Sequence, residues 1–378
     1  MTVRADIFCK VIDNFGDLGV CWRFARQLHH EHAVDITLWV DDLHSFARMA
    51  PVLDPVRDEQ LLEGIRVRWW HSGSAASVPG DLVIEGFGCP LPHWYMQAMA
   101  AMPRQPVWLN LEYLSAEDWV EGCHGLPSTH PLTGLTRYFW FPGFTPKTGG
   151  LLREADLLAR RDRFQADASL QSAFWCRIGV PDALSFGSRA SLFAYETPAI
   201  AAWLQGLSEA SGSVLVLVPE GRALAEVARW AGVEAPGPGD RIQRGQVTVV
   251  VLPFLSHDDY DLLLWACDLN VVRGEDSFVR AQWAGRPLLW HIYPQEDGAH
   301  WAKLEAFLGL VVPGVGMPAP WAEAMRAWNR GEAMPSFWAG IEAVRPGSAR
   351  PARAWSDYLA TQTDLVTSVM RFYTSQVE

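Results

Sequence analysis

Charged residues are concentrated at one junction of the sequence, the stretch VVRGEDSFVRAQW at 271–283. An apolar run typical of a buried strand ends there, and Arg273, Glu275, Asp276 and Ser277 surround a glycine before helical spacing begins. Free N–H groups at a helix N-terminus form a natural phosphate site. The arginine can pair with a phosphate oxygen, and a carboxylate can reach a sugar hydroxyl. The pattern equally allows a helix capped by acids, with Arg273 paired to one of them.

A second junction, VIDNFGDLGVCW at 11–22, places Asp13 and Asp17 around a glycine turn. Gly16 and Gly19 permit close approach of the backbone to a ligand. The two acids can serve chemistry there, or either of them can simply cap the helix that follows. The turn lacks the GxGxxG pattern, so it does not indicate a dinucleotide site.

Two further segments carry residues suited to ligands. In VLPFLSHDDYD at 251–261, Phe254 can stack on a base and His257 can read the edge of that base, although a core phenylalanine is the plainer interpretation. The segment 108–128 can receive a cationic partner or can be a solvated loop. Its acidic and aromatic residues are Glu112, Tyr113, Glu117, Asp118 and Glu121.

Composition limits the class of protein. The chain has 378 residues, enough for two domains, and its 49% hydrophobic and 20% charged residues are typical of a well-cored globular protein. The net charge of −12 argues against non-specific binding of nucleic acid or of an anionic membrane. The six cysteines lack CxxC or CxxH spacing, and no signal core or membrane span is visible. We therefore expect a cytoplasmic protein with reduced thiols.

The elements that must position these residues alternate along the chain. Apolar strands at 5–12, 35–40, 65–70, 81–87 and 106–112 alternate with helical or irregular segments, and the alternation resumes near residue 189. This pattern predicts an α/β protein with two Rossmann-like, doubly wound domains facing a cleft. The predicted domains are 1–155 and 156–355, with a C-terminal helix at 356–378 that crosses back to the first domain. Ligands bind beyond the carboxyl ends of such strands.

Several stretches together resemble the bacterial elongation factor P arginine rhamnosyltransferases, in order and over nearly the whole chain. They are VIDNFGDLGVCWRFARQL, WLNLEYLSAEDWV, FPGFTPKTGGLLRE, the stretch from YDLLLWACDLNVVRGEDSFVRAQWAG to WHIYPQEDGAH, and KLEAFL. The resemblance implies a GT-B glycosyltransferase whose C-terminal domain holds dTDP-β-L-rhamnose. The implied acceptor is an arginine side chain of elongation factor P, docked on the N-terminal domain. Transfer would invert the anomeric centre and give an α-linked rhamnosyl-arginine.

The resemblance also implies roles for single residues. Asp13 and Asp17 match the catalytic aspartates of the glycine turn, and Glu275 matches the essential acid of the RGEDS motif. The other expected substrate contacts are Asn14, Phe15, Gly16, Phe193, Tyr195, Phe254, Arg273, Asp276, Ser277 and Tyr293. The family usually has Gln where this chain has His257, which affects the expected hydrogen bond to the nucleotide.

The reaction implied by this resemblance needs stabilisation of its leaving group and activation of its nucleophile. The leaving dTDP needs preorganised donors, which Arg273, the N–H groups of 275–277 and the Tyr293 hydroxyl can supply without a metal ion. A guanidinium is a poor nucleophile, so a carboxylate must orient it and accept its proton. We assign that base to Asp17 and the orienting role to Asp13, although the sequence alone allows the reverse.

Two alternative functions are also compatible with the sequence. A sugar-nucleotide enzyme of the same fold, such as an epimerase, would need no protein acceptor. A non-catalytic module that binds a translation factor would not need the RGEDS junction. We expect a monomer from the habits of the fold.

Overall fold

The computed structural model describes residues 2–12, 15–71 and 77–378, the last range without the side chains of 336–344 and 346. The chain divides into two compact units. The first comprises Met1–Ala155 and Thr361–Glu378, and the second comprises Asp156–Ala360. Each unit contains one sheet, and the carboxyl ends of its parallel strands carry the residues of interest.

The first unit is built around an eight-stranded sheet in the order β3-β4-β2-β1-β5-β6-β8-β7. Neighbouring strands from β4 to β8 are parallel, and only the edge strands β3 and β7 run antiparallel to their neighbours. The elements are β1 (Arg4–Cys9), α1 (Gly16–His32), β2 (Asp35–Val40), α2 (Leu43–Met49), β3 (Glu59–Leu62), β4 (Ile65–Trp69), β5 (Leu82–Gly86), α3 (His93–Ala100), β6 (Val107–Leu111), α4 (Trp119–Cys123), β7 (Pro127–Thr129) and β8 (Thr136–Trp140).

The central strands β5 and β6 are buried along their whole length, which follows from their mainly apolar sequences and from cover on both faces. One face packs a cluster of aromatic side chains against α3. Phe8 stacks on Trp39 with ring centroids 5.4 Å apart, and Tyr95 meets Phe8 edge-on at 4.7 Å. The hydroxyl of Tyr95 donates to the buried carboxylate of Asp6 at 2.7 Å. These contacts fix the strands whose ends form the site.

The second unit contains a six-stranded sheet in the order β11-β12-β10-β9-β13-β14. The five strands from β12 to β14 in that order are parallel, and β11 is an antiparallel edge. The elements are α5 (Leu157–Ala166), α6 (Ala168–Arg177), β9 (Ser188–Leu192), α7 (Pro198–Ser208), β10 (Val214–Pro219), α8 (Leu224–Ala231), β11 (Arg241–Arg244), β12 (Val247–Leu252), α9 (His257–Ala266), β13 (Leu269–Arg273), α10 (Asp276–Trp283), β14 (Leu288–His291), α11 (Ala299–Val315), α12 (Ala319–Arg330) and α13 (Pro335–Ala360).

A buried ion pair fixes α10 against α9. Arg280 donates two hydrogen bonds to Asp261, from Nε at 2.9 Å and from Nη2 at 2.5 Å, and both side chains are at most 3% exposed. Removing one partner of such a pair leaves an uncompensated buried charge, which costs about 3–5 kcal/mol. The pair therefore sets the position of the helix that begins at the RGEDS junction.

The last helix, α14 (Leu365–Val377), belongs to the first unit. Asp364 caps it by accepting from the backbone N–H of Thr367 at 2.9 Å, and its second contact is the Gln27 amide at 3.0 Å. The backbone N–H of Leu365 donates to the carbonyl of Leu151 at 2.9 Å. The C-terminal segment is thus attached to α1 and to the end of the first unit.

The predicted α/β fold with two doubly wound parallel sheets is confirmed, and the helix predicted at 16–32 begins and ends at those residues. The sequence analysis missed the short edge strands β3, β7 and β11, whose runs are polar and largely exposed. Strand β8 at 136–140, which pairs with β6, was not predicted either. These strands are defined by pairing with a neighbour more than by their own patterns.

Candidate active site

The RGEDS junction is a tight turn from β13 into α10. Gly274 has φ +58°, a left-handed conformation that favours glycine. Its N–H donates to the His291 carbonyl at 3.2 Å, and its carbonyl accepts from the Trp290 indole at 2.7 Å. Glu275 stands at the N-cap of α10, and its side chain makes no capping hydrogen bond. The first N–H groups of α10 remain directed away from the helix body, as at any helix start.

Ser277 ties the strand end to the helix. Its hydroxyl donates to the Arg273 carbonyl at 2.5 Å and accepts from the Arg273 N–H at 3.1 Å. The serine is buried, whereas Glu275 and Asp276 are half-buried at the mouth of the turn. In this structure Ser277 therefore holds the backbone of Arg273 in place, and the two acids are the more accessible members of the motif.

Arg273 lies among aromatic rings. Its guanidinium carbon is 4.4 Å from the centroid of the Phe193 ring and 4.8 Å from that of Tyr195, and the residue is 7% exposed. Tyr293 meets Tyr195 edge-on at 5.5 Å and is 43% exposed. Phe193 and Tyr195 follow β9, Arg273 ends β13 and Tyr293 follows β14, so adjacent strand ends bring together residues that are far apart in sequence. The result is a buried cation with aromatic faces, at the sheet edge where ligands bind.

The sequence analysis missed two residues at this edge. Arg222 follows β10, is exposed, and lies with its guanidinium carbon 5.9 Å from the Tyr195 centroid. His291, at the end of β14, is 6% exposed and its ring centroid is 5.2 Å from that of Tyr195. Burial, followed by the charge of Arg273, lowers the pKa of His291 to about 4, so the ring is neutral at neutral pH. The only signal for either residue was its position just after, or at the end of, an apolar run.

Phe254 and His257 lie at the same edge, on the far side of β10. Phe254 follows β12 and is half-buried, and His257 is the half-buried first residue of α9. Ser256 caps α9 by accepting from the N–H of Asp259 at 3.2 Å, as its position predicts. Asp259 itself pairs with Arg177 at 2.5 Å. Phe254 is therefore not one of the buried core residues.

Asp17 is the best-defined acid of the first unit. It lies in the first turn of α1, is 4% exposed, and its Oδ2 accepts from the Ile12 N–H at 3.0 Å. The N-cap of the helix is Phe15, so Asp17 does not cap it but joins the turn to it. Asp17 also borders a pair of buried thiols. The hydrogen bond to Cys21, burial and the nearby Asp17 charge all raise the pKa of Cys9.

The structure describes only some of the other residues of the glycine turn. Asp13 and Asn14 lie outside the described residues. Phe15 and Gly16 are half-buried, and the Arg48 guanidinium carbon lies 5.3 Å from the Phe15 centroid. The acidic segment after β6 is partly used locally, because Glu117 accepts from Ser115 at 2.9 Å and Glu121 pairs with Lys147 at 2.9 Å. Both acids are therefore engaged in local contacts, and Glu121 lies in α4 and not in a loop.

Comparison with known proteins identifies the family. The sequence model described as elongation factor P (EF-P) rhamnosyltransferase EarP matches residues 5–374. The chain belongs to this family. It is 52% identical over 373 residues to a protein-arginine rhamnosyltransferase of Pseudomonas aeruginosa, with 97% of this chain and 98% of that protein covered. A protein-arginine rhamnosyltransferase of Neisseria meningitidis is 39% identical over 372 residues, covering 94% and 93%.

Solved structures agree with this assignment. A structure on EarP-mediated arginine glycosylation of translation elongation factor EF-P superposes with a TM-score of 0.69 at 37% identity, covering 99% of both chains. A spinosyn rhamnosyltransferase complexed with spinosyn aglycone superposes at 0.53 and 12% identity, with 98% of this chain and 99% of that chain covered, which shows the fold alone. The protein is therefore a glycosyltransferase of the GT-B class.

Two further features concern metal ions and membranes. Within the part of the chain that the structure describes, no three His, Cys, Asp or Glu side chains are grouped as metal ligands would be. Among the same residues, no helix has the length and apolar character needed to span a bilayer.

Proposed function

We propose that this protein is an inverting protein-arginine rhamnosyltransferase that moves L-rhamnose from dTDP-β-L-rhamnose to an arginine side chain of translation elongation factor P. The observation that most supports the donor assignment is Arg273, held against Phe193 and Tyr195 beside the N-terminus of α10. A fixed cation beside a helix N-terminus is suited to a diphosphate. The acceptor assignment rests on the family description and on the printed activity of the relatives.

On this proposal, the donor site stabilises a departing nucleoside diphosphate. Arg273 and Arg222 supply positive charge, the start of α10 supplies N–H groups, and the exposed Tyr293 supplies a hydroxyl. These groups are positioned by three strand ends before the reaction begins, so little reorganisation accompanies the growth of negative charge. Phe254 is suited to stacking on thymine, and Glu275 to a hydroxyl of the sugar.

The acceptor reaction is a single displacement. A guanidinium nitrogen of the acceptor attacks C1 of rhamnose, the bond from C1 to the diphosphate oxygen breaks, and its electron pair leaves with dTDP. The proton released from that nitrogen passes to the carboxylate of Asp17, and Asp13 orients the guanidinium. Attack opposite the leaving group converts the β-linked donor to an α-linked product. The hydrogen bond from the Ile12 N–H holds the Asp17 carboxylate in place for this role.

We also propose that transfer needs no metal ion. Cationic side chains, helix N–H groups and a hydroxyl can neutralise the diphosphate, and a divalent ion at Asp17 would compete with the cationic acceptor for the same carboxylate. We further expect a cytoplasmic location, since the proposed substrate is a translation factor, and a monomer from the habits of the fold. Sedimentation velocity checks the oligomeric state.

The deciding experiment is the intact mass of elongation factor P after incubation with this protein and dTDP-rhamnose. Gain of one deoxyhexose on an arginine supports the proposal. Turnover of the donor without any acceptor would indicate an epimerase or a similar sugar-nucleotide enzyme. Binding of elongation factor P with no change in its mass would indicate a non-catalytic module.

A further inference from the structure

One bulky side chain of the first unit has an unfavourable backbone conformation. Phe87, which follows β5, has φ +57°, and the next residue, Gly88, has φ +67°. Glycine adopts this left-handed region without cost, whereas a bulky residue is strained there. The surroundings hold the turn, because the Phe87 N–H donates to the Leu111 carbonyl at 2.7 Å and the Gly88 N–H donates to Asn110 Oδ1 at 3.0 Å. Backbone strain of this kind is concentrated at functional sites, where the surroundings hold it in place.

The Phe87 ring stacks on Tyr113, which follows β6. The ring centroids are 4.6 Å apart and the planes are 21° from parallel. Both residues are half-buried, in contrast to the core rings Phe8 and Tyr95, which are fully buried. A Cβ placed on Gly88 would have no atom within 4 Å, so the turn borders open space. The stacked pair therefore presents aromatic surface to the outside of the unit.

The pair lies at the same sheet edge as Asp17. Strand β5 lies next to β1, and β6 lies next to β5, all parallel, so the residues that follow them emerge beside the start of α1. The close packing of Gly86 supports this placement, because a Cβ there would lie 3.0 Å from the Sγ of Cys21. Cys21 is one helical turn from Asp17 on α1. The stacked rings thus belong to the neighbourhood of the proposed base.

A carboxylate accompanies the rings. Glu112 immediately precedes Tyr113, is half-buried, and its Oε1 accepts from the Asn110 amide at 2.6 Å. The same Asn110 side chain accepts from Gly88, so one residue holds both the strained turn and the acid. The nearby Glu85 is committed differently, since it is buried and pairs with Arg137 at 3.1 Å. Glu112 is the acid that the turn orients.

We infer that Phe87, Tyr113 and Glu112 form a platform that receives the planar guanidinium of the acceptor arginine before transfer. Guanidinium groups stack on aromatic faces and pair with carboxylates at their edges, and the platform offers both. This inference rests on the proposed function, because it assigns part of the acceptor site. Phe87 and Tyr113 act in binding and orienting the cation, and no proton transfer is assigned to them.

Steady-state kinetics with elongation factor P as the varied substrate tests the platform. We expect Tyr113→Leu and Phe87→Gly each to raise KM for the acceptor by about 3- to 30-fold, given the strength of cation–π contacts. Tyr113→Phe keeps the ring and is expected to behave like wild type. Phe87→Gly removes the ring and relieves the strained backbone, so the comparison does not depend on a variant that fails to fold.

Two controls separate the possible outcomes. Tyr138 and Phe372 form another ring pair of the same unit, with centroids 4.9 Å apart, and Tyr138→Leu is expected to leave KM for the acceptor unchanged. The affinity of each variant for dTDP is measured by calorimetry and is expected to be unchanged. Folded Tyr113→Leu and Phe87→Gly variants with wild-type KM would overturn the platform, and so would a loss of dTDP affinity in place of acceptor affinity. Wild-type protein that transfers no deoxyhexose would instead overturn the proposed function itself.

Discussion

Replacement of Arg273 by lysine separates the charge of this residue from its shape. The guanidinium lies 4.4 Å from the Phe193 centroid and 4.8 Å from that of Tyr195, at 7% exposure. Lysine keeps the positive charge but has no planar face to lie on the rings and no fork to bind two phosphate oxygens. The variant therefore loses much of the cation–π contact and one charge-assisted hydrogen bond.

The expected loss follows from those two contributions. A hydrogen bond to a charged group contributes about 1.5–3 kcal/mol, and a desolvated cation–π contact contributes up to about 2 kcal/mol. Because lysine retains part of each, we expect a net loss of roughly 1.4–3 kcal/mol in dTDP binding. At about 1.4 kcal/mol per factor of ten, the Kd for dTDP rises about 10- to 150-fold.

Titration calorimetry with dTDP measures this change directly, and thermal unfolding of the same samples checks the fold. Arg189→Lys is the matched control, since Arg189 pairs with Asp268 at 3.1 Å at the amino end of β9, the opposite edge of the sheet. Its Kd for dTDP is expected to stay within about twofold of wild type. If Arg273→Lys folds normally and binds dTDP as tightly as this control, the assignment of Arg273 to the diphosphate is wrong.

Four other changes test the remaining parts of the proposal. Asp17→Asn keeps an oxygen for the Ile12 N–H but removes the base, so transfer should fall by about 10²–10⁴-fold with dTDP affinity intact; more than about a tenth of wild-type rate would exclude Asp17 as the base. Phe254→Ala should weaken dTDP binding by about 1–3 kcal/mol, whereas a lowered Tm with unchanged affinity would mark the ring as structural. Because the pKa of His291 falls from 6.5 to about 4 on folding, the unfolded chain binds the extra proton between these values. The contribution of neutral His291 to the free energy of unfolding, about 3 kcal/mol, should therefore be present above pH 6.5 and lost as the pH falls to 4. In acid-induced unfolding, His291→Gln should reduce the fall in the free energy of unfolding over this pH range. Transfer should persist in excess EDTA, and rescue of a lost activity by Mg²⁺ or Mn²⁺ would show that an acid of the site binds metal.

The sequence predicted what local pattern determines. A continuous apolar run such as that of β10 identifies a buried parallel strand, and the glycine junctions at 16 and 274 identify where helices begin. Edge strands such as β7 were missed because three exposed residues carry no periodicity, and they form only through a paired neighbour. The same limit explains the missed site residues. Arg222 and His291 meet Tyr195 because β10 lies beside β9, with β13 and then β14 on its other side, and nothing near either residue encodes that order.

The strand order also determines which aromatic residues of the second unit lie beside the arginine side chains. Tyr195 follows the central strand β9 and is 4% exposed, with Arg273 4.8 Å and Arg222 5.9 Å from its ring centroid. A ring surrounded by two guanidinium groups has little free face for a base, so we interpret Tyr195 as the residue that holds cations for the diphosphate. Phe254 lies two strands away, after β12, and is half-buried. Because β10 separates these two strand ends, we propose that Phe254 binds the base and that the cluster around Tyr195 binds the diphosphate.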